Sequence, residues 1–524
     1  MPDLDSESLY KALLAKDTRF DGRFFVGVAS TGVYCRPVCR ARKPLAVNCS
    51  FYATAAEAEQ AGFRPCLLCR PELAPGYAPV DSSASLARAA ARYIERNCGV
   101  QGSLTDIARH LGCSNRHLRR VFEDTYHVRP VEYRQTCRLL LAKSLLTDTD
   151  LSVVDVAYSA GFGSLRRFNE VFRRRYRLTP TALRGQARLN RADGDTVQLS
   201  LGYRPPYRWD LMLKFLARRA IPGVEKVEED RYARTIRLRS SGRDLTGWVA
   251  VGNDSEHNRL AVTVSASLLP ALPVVLDGIK NLFDLHCEPD TVARALTSMD
   301  NSTLGPFIPG TRVPGCFDAF ETAVLAVLGQ QVTIQAARTL AGRLVQALGS
   351  PLNTGIDGLT TTFPMVQELL NLDGAIEQHL GPLGIIAARA RAIHGLAAMM
   401  SSGIIDASCC PDPEAAVTRF MEIPGIGAWT ANYIAMRCLA WPDAFLATDL
   451  EVRKALGTPP PGKILTLAEC WKPWRAYAVM HLWNRAEAES ASEHATKSKK
   501  RNEKKEEMHY LSHYESPLGA MTMA

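Results

Sequence analysis

Four of the fourteen cysteines stand in two tight pairs. Three residues separate Cys35 from Cys39, two separate Cys66 from Cys69, and 26 lie between the pairs. No other feature restricts the N-terminal segment as much. Nothing at the start of the chain reads as a secretion signal, so the protein is expected in the reducing cytoplasm, where close cysteines bind metal or do chemistry rather than form disulfides. Four thiolates in two pairs can close a tetrahedral zinc site. A zinc staple that only folds a small domain satisfies the same spacing, so the pairs alone predict one zinc and leave its role open. Cys113, Cys287 and Cys438 are scattered and read as small core residues.

A chain of 524 residues, 46% of them hydrophobic, can bury several cores, which predicts three or four domains. The formal net charge of +9 is concentrated between Arg116 and Arg188. Such a concentration favours a polyanion, with a solvated basic face as the plainer alternative. No apolar run is long enough to cross a bilayer, so no membrane partner is expected. Pro75, Gly76, Pro79, Asp81, Ser82 and Ser83 read as a linker and put a boundary near residue 80.

Beyond it lies an internal repeat. SLTDIARHLG and SVVDVAYSAGFG align through Ser103/Ser152, Asp106/Asp155, Ala108/Ala157 and Gly112/Gly161, and with one inserted residue Phe122/Phe172 and Pro130/Pro180 follow. Each copy opens with a Ser-x-x-Asp capping box and continues helix, glycine turn, helix, which predicts two helix-turn-helix units. Arg116, His117, Arg119 and Arg120 fall on the second helix of the first unit. Arg166, Arg167, Arg173, Arg174 and Arg175 fall on or just after that of the second. Such helices can enter successive major grooves while arginines hold phosphates. From Asp195 the segments TVQLSLGY, RTIRLRS, GWVAVG and RLAVTVSA alternate as strands of a small antiparallel sheet. From Phe317 to Asn484 the spacing is helical.

The stretches TGVYCRPVCRARK and SFYATAAEAEQAGFRPCLLCRPE resemble the N-terminal domain of the bacterial Ada adaptive-response family. The resemblance implies that Cys35 accepts a methyl group from a DNA phosphotriester and that Cys39, Cys66 and Cys69 are the remaining zinc ligands. A zinc tetrathiolate has a net charge near −2 and keeps its sulfurs nucleophilic at neutral pH. Methylation removes one negative charge, so the site would repel DNA phosphates less and could switch DNA affinity. Lys43 stands where family members often have His. The repeat that follows resembles the AraC-type regulator domain, which implies promoter DNA and RNA polymerase as partners.

In MEIPGIGAWTANYIAMRCLA, Pro424, Gly425, Ile426 and Gly427 separate two helix-like runs. Glycines there allow a sharp turn and bare N–H groups at a helix start, a grip for a DNA phosphate, although any tight helical turn could use them. Asp449 lies 22 residues beyond the turn, in AFLATDLEVR, and WKPWRAYAVMHLW follows. From GYRPPYRWDLMLKFLARRA through LGQQV to Trp483 the chain resembles the AlkA-type 3-methyladenine DNA glycosylases of the helix-hairpin-helix superfamily. The resemblance implies that Asp449 is catalytic and that Trp429, Tyr433 and Trp483 shape a base pocket. It also puts Gln331, after Gln330, where the family inserts an apolar wedge into the duplex, so the contact changes. An alkylated purine is already cationic and leaves readily. A carboxylate can stabilise the resulting sugar cation or steer water onto it, and aromatic faces attract the flipped base. A helix cap for Asp449 and core packing for the aromatics are the competing readings.

The final MHYLSHYESPLGAMTMA looks like the opening of an O6-alkylguanine-DNA methyltransferase. No Pro-Cys-His-Arg motif occurs, so no methylguanine repair is expected, and the tail reads as a fused start of a neighbouring frame. The expected architecture is multidomain, mainly α with α+β parts. It comprises a four-cysteine zinc sensor domain over 1–78, a tandem helix-turn-helix domain over 82–188, an antiparallel-sheet α+β domain over 195–310, a helical helix-hairpin-helix glycosylase domain over 311–486 and a disordered tail over 487–524. The expected function is excision of alkylated bases from double-stranded DNA, fused to a methylation-activated regulator. The alternative is an activator whose glycosylase half only binds damaged DNA.

Overall fold

The computed structural model describes residues 6–16, 20, 24–39, 41–69, 71, 85–99, 103–111, 113–186, 195–240, 242–297, 299, 304–403, 410, 413–488, 515–516 and 519–520. The linker residues Pro75 to Ser83, Gly112 and most of the expected tail lie outside them.

Helix α1 (Ser6–Ala15) packs on a small sheet made of β1 (Phe25–Val28), β2 (Val33–Cys35), β3 (Cys49–Tyr52) and, after α2 (Ala55–Gln60), β4 (Arg64–Pro65), in the order β3-β1-β2-β4. Strand alternation divides the apolar residues between two thin cores. Leu9 and Leu13 meet Phe24 and Val26 on one side, and Phe25, Tyr34 and Ala58 gather on the other. Cores this small call for a covalent or metal staple.

The repeat folds as predicted. Helix α3 (Ser85–Arg96) precedes α4 (Leu104–His110) and α5 (Asn115–Tyr126), α6 (Pro130–Asp148) connects the units, and α7 (Val153–Ser159), α8 (Leu165–Tyr176) and α9 (Pro180–Gln186) form the second. Ser103 and Asp106 cap α4 reciprocally. In the second unit the Ser152 oxygen accepts from the Asp155 N–H at 3.1 Å while its hydroxyl donates to the carboxylate, so only half of the expected box forms. Gly161 has φ of +82°, and a Cβ there would stand 2.6 Å from the Gly99 Cα. Only glycine lets the second turn press against the end of α3.

Strands β5 (Thr196–Gly202), β6 (Glu225–Glu228), β7 (Arg231–Ser240), β8 (Arg243–Asp254) and β9 (Arg259–Ser265), with α10 (Trp209–Arg219) after β5, form a five-stranded antiparallel sheet in the order β5-β9-β8-β7-β6. Helices α11 (Leu272–Leu282) and α12 (Pro289–Ala295) lead into the helical part. That part contains α13 (Ala319–Leu328), α14 (Ile334–Leu348), the short ladder β10 (Ser350–Pro351) with β11 (Thr361–Thr362), α15 (Val366–Leu370), α16 (Ile376–Leu380), α17 (Ala387–Ser401), α18 (Pro413–Met421), α19 (Ala428–Cys438), α20 (Leu450–Ala455), α21 (Pro461–Leu467) and a last helix over 475–488. A buried ion pair crosses between sheet and helices, Arg234 donating to both Glu321 oxygens at 3.2 and 2.6 Å.

The two helix-turn-helix units join different cores. The first has its own, built from residues such as Ile94, Ile107, Leu118 and Phe122. Leu139 of the connecting helix and Phe168 and Phe172 of the second unit belong to one continuous core that runs through the sheet to Leu482. The expected disorder from residue 487 is corrected at its start: the last helix runs on through Glu487 and Ala488, held by contacts from Lys214 and Arg218 to the Glu487 carboxylate. In the tail, Glu515–Ser516 pairs with Gly519–Ala520 as β12 and β13. No described helix is long and apolar enough to cross a membrane.

Candidate metal centre and aromatic cleft

Strands β2 and β4 run parallel with Tyr34 opposite Pro65, so the next residue of each, Cys35 and Cys66, emerges beside the other. A turn closed by the Cys39 N–H on the Arg36 carbonyl brings in Cys39, and the Arg36 N–H donates to the Cys69 sulfur at 3.4 Å. All four sulfurs lie within 4.8 Å of one another. A tetrahedral tetrathiolate with Zn–S near 2.3 Å needs S–S separations of about 3.8 Å, so the donor set fits one zinc. Hydrogen bonds from the neighbouring thiols, Cys35 first, hold Cys66 far below the ordinary thiol range, while their counterparts push Cys69 up. Crowded sulfurs that must share protons in this way are relieved by a dication.

The cluster is tied to the second helix-turn-helix unit. The Tyr34 hydroxyl donates to fully buried Glu59 at 2.9 Å, and the Tyr176 hydroxyl at the end of α8 reaches the same carboxylate at 3.4 Å. Leu67, between the ligands Cys66 and Cys69, packs on the continuous core. Arg116, Arg119 and Arg120 are exposed on α5, and Arg166 and Arg167 on α8.

In the C-terminal half of the chain, a cleft of about 830 Å³ is lined by Trp429, Tyr433, Trp483 and Asp449. Asp449 caps α20: Oδ1 accepts from the backbone N–H groups of Glu451 at 3.0 Å and Val452 at 3.1 Å. Both indoles also donate to it, Trp483 to Oδ1 and Trp429 to Oδ2, each at 3.0 Å. The helix cap and the cleft carboxylate are therefore the same group. Trp429 stacks on Tyr433 at 5.1 Å and 10°, and Trp483 lies tilted at 6.4 Å from Tyr433.

The turn before α19 is built as the glycines predict. Gly425 has φ of +92°, Ile426 is buried, and Pro424, Gly425 and Gly427 face solvent. Gly427 is the N-cap of α19 and supplies no capping side chain, which leaves the helix N-terminus open to an anion. Gln330 braces this turn, its amide donating to the Gly425 carbonyl and the Thr430 hydroxyl, both at 2.9 Å. Gln331 is exposed with φ of +54°, a left-handed conformation uncommon for a side-chain-bearing residue. Neither glutamine lines the cleft, although Gly329 and Val332 on either side do.

Two lining residues were missed in the sequence. Arg219 and Arg437 both lie over the buried Phe215 ring, at 3.8 and 5.0 Å. Arg437 donates to the Tyr433 hydroxyl at 2.7 Å and to the Gly315 carbonyl. Burial acts to raise the Tyr433 pKa, and the two guanidiniums outweigh it and hold it below the ordinary tyrosine value. The spacing of Arg437, one helical turn from Tyr433, was the available signal.

Three families match: the metal-binding domain of Ada at residues 8–72, a helix-turn-helix domain at 107–186 and the AlkA N-terminal domain at 198–318. The chain is 37% identical to the probable bifunctional transcriptional activator/DNA repair enzyme AlkA of Mycobacterium tuberculosis, over 92% of this chain and 97% of that one. It is 37% identical to DNA-3-methyladenine glycosylase 2 of Escherichia coli over 54% of this chain and 96% of that one. Against the bifunctional transcriptional activator/DNA repair enzyme Ada of Escherichia coli the identity is 36%, over 30% of this chain and 43% of that one.

Proposed function

The chain belongs to the family of bifunctional transcriptional activator/DNA repair enzymes, and on that premise we propose that it excises alkylated bases of the 3-methyladenine type from duplex DNA and regulates promoters through methylation of Cys35. The observation that carries the enzymatic half is the Asp449 carboxylate, held in the cleft by two indole N–H donors and two backbone N–H donors. Three of the four hydrogen bonds fall on Oδ1 and one on Oδ2, which leaves Oδ2 the more open oxygen. The bonds hold the carboxylate in place as a fixed charge beside a sugar cation. In this reading Trp429, Tyr433 and Trp483 hold the flipped base, the bond from the sugar carbon to the base nitrogen breaks with its electron pair going to the base, and Asp449 stabilises the sugar until water adds and releases its proton to solvent. Pro424, Gly425, Ile426 and Gly427 present the α19 N-terminus to a backbone phosphate, and Gln331 stands at the wedge position.

In the regulatory half Cys35, Cys39, Cys66 and Cys69 hold the zinc, which when bound keeps the sulfurs deprotonated and nucleophilic. The Cys35 sulfur attacks the methyl of a phosphotriester, a C–S bond forms, and the phosphodiester leaves as the anion. The lost negative charge raises affinity for promoter DNA, contacted through Arg116, Arg119, Arg120, Arg166 and Arg167. RNA polymerase is the partner such an activator addresses, and the cytoplasm is where it works. An activator with a damage-binding but inert cleft is the second reading. Single-turnover release of 3-methyladenine from methylated duplex DNA, with Asp449→Asn alongside, separates the two. Release that depends on Asp449 supports the enzyme, whereas tight binding without release leaves the regulator alone.

A further inference from the structure

Arg219 and Arg437 give the cleft an electrical polarity. The indole N–H groups of Trp429 and Trp483 point to Asp449 at one end. At the other end Phe215 stacks on Trp483 at 6.4 Å and 18°, and Arg219 sits 3.8 Å over Phe215 and 6.0 Å from the Trp483 ring. Arg437 stands 5.6 Å from the Tyr433 ring, bonded to its hydroxyl. The carboxylate thus meets the N–H edges of the two indoles, whereas the guanidiniums meet the Phe215 ring and the Tyr433 hydroxyl.

Among the described residues no carboxylate forms an ion pair with either arginine. Arg219 donates to the Phe215 carbonyl, and Arg437 to Tyr433 and the carbonyls of Pro314 and Gly315. Of the other carboxylates lining the cleft, Glu225 and Glu321 are taken by Arg234, Glu451 by Lys454, and Glu487 by Lys214 and Arg218. The aromatic surface that would attract a cationic base is therefore already preloaded with two positive charges.

Resting on the glycosylase reading above, we infer that Arg219 and Arg437 select for departure of the base rather than for its initial charge. Breaking the bond between sugar carbon and base nitrogen moves one electron pair onto the base. A cationic alkylpurine leaves neutral, and a neutral lesion leaves as an anion that later takes a proton from solvent. In both cases the base loses one unit of positive charge beside the arginines, and the sugar gains it beside Asp449. The polarity opposes binding of a cationic base in the ground state and favours its departure, a differential effect that raises rate at the expense of affinity. For a neutral base the ground-state penalty is absent. The arginines should accordingly change only the rate of departure of a neutral base, but both rate and affinity for a cationic one.

The test uses the zinc-loaded full chain with two duplexes, one carrying cationic 7-methylguanine and one carrying neutral hypoxanthine, and single-turnover excision at varied protein concentration. Arg219→Met is expected to slow the chemical step on both duplexes about tenfold and to tighten half-saturation several-fold on the cationic duplex alone, a split that separates ground-state from transition-state effects. Arg219→Lys, which keeps the charge, should restore both. Equal changes of half-saturation on the two duplexes, or an unslowed chemical step in Arg219→Met, would overturn the inference. If Arg219→Met does not fold, as its melting curve would report, the wild-type chain decides. Neutral 9-methylguanine should inhibit it better than cationic 7,9-dimethylguaninium, and the reverse order is contrary to the inference. A wild-type chain that releases neither base removes the glycosylase reading itself, a different failure.

Discussion

The thiolate cluster and the aromatic cleft each hold negative charge, by opposite means. At the cluster four sulfurs crowd within 4.8 Å, an arrangement that suits a dication and leaves each sulfur a soft nucleophile. In the cleft a single carboxylate is surrounded by four N–H donors. On the proposed function the first kind of anion makes a covalent bond and is altered by it. The second, on the same reading, acts through a charge held in place by those donors and survives each event unchanged. How an anion is solvated by its protein therefore decides whether it reacts once per molecule or serves repeatedly.

The contrast can be broken at either end. Cys35→Ser is expected to abolish methyl acceptance, read as the missing mass of one methyl group after incubation with methylphosphotriester DNA, while excision proceeds normally. Residual methylation of the variant would move the acceptor to another sulfur. Asp449→Asn keeps the cap geometry but removes the charge, and should slow single-turnover excision on the order of 10²–10³-fold, the range found when a key electrostatic group is lost. Trp483→Phe keeps an aromatic face and deletes one N–H donor to the carboxylate. About tenfold slower excision is expected, in line with a lost charge-assisted hydrogen bond; an unchanged rate would mean that three donors suffice. The smallest effect asks whether the cluster reports to the DNA-binding helices through Glu59. Tyr176→Phe should reduce the ratio of promoter affinities of methylated and unmethylated protein about two- to fivefold, as measured by titration, since one long hydrogen bond to a carboxylate is at stake.

Local features with their own chemistry were legible. The Cys spacing announced a four-sulfur site, the Ser-x-x-Asp repeats announced four helices of two units, and the alternation from Thr196 announced the sheet. Apolar periodicity says that a residue is buried, not what it is buried against. Nothing in the pattern around Phe122 and Phe172 told that the first would join a private core and the second the core of the C-terminal half. The dual part played by Asp449 was hidden for a similar reason: cap and cleft member looked like rival readings until the turn at Leu450 put both in one place. Arg219 and Arg437 were passed over because arginines inside apolar helices read as solvated or core-satisfied. The stretch from Glu487 read from composition as disordered or a loose helix, because composition does not register a carboxylate held by Lys214 and Arg218.

The continuous core from Leu139 to Leu482 has a consequence for inheritance. Once two ancestral modules bury side chains in common, neither can be cut out, duplicated or exchanged without exposing an apolar wound on the other. A fusion of this kind becomes irreversible by packing rather than by gene order, and the two functions are thereafter made, damaged and degraded in a fixed ratio of one to one.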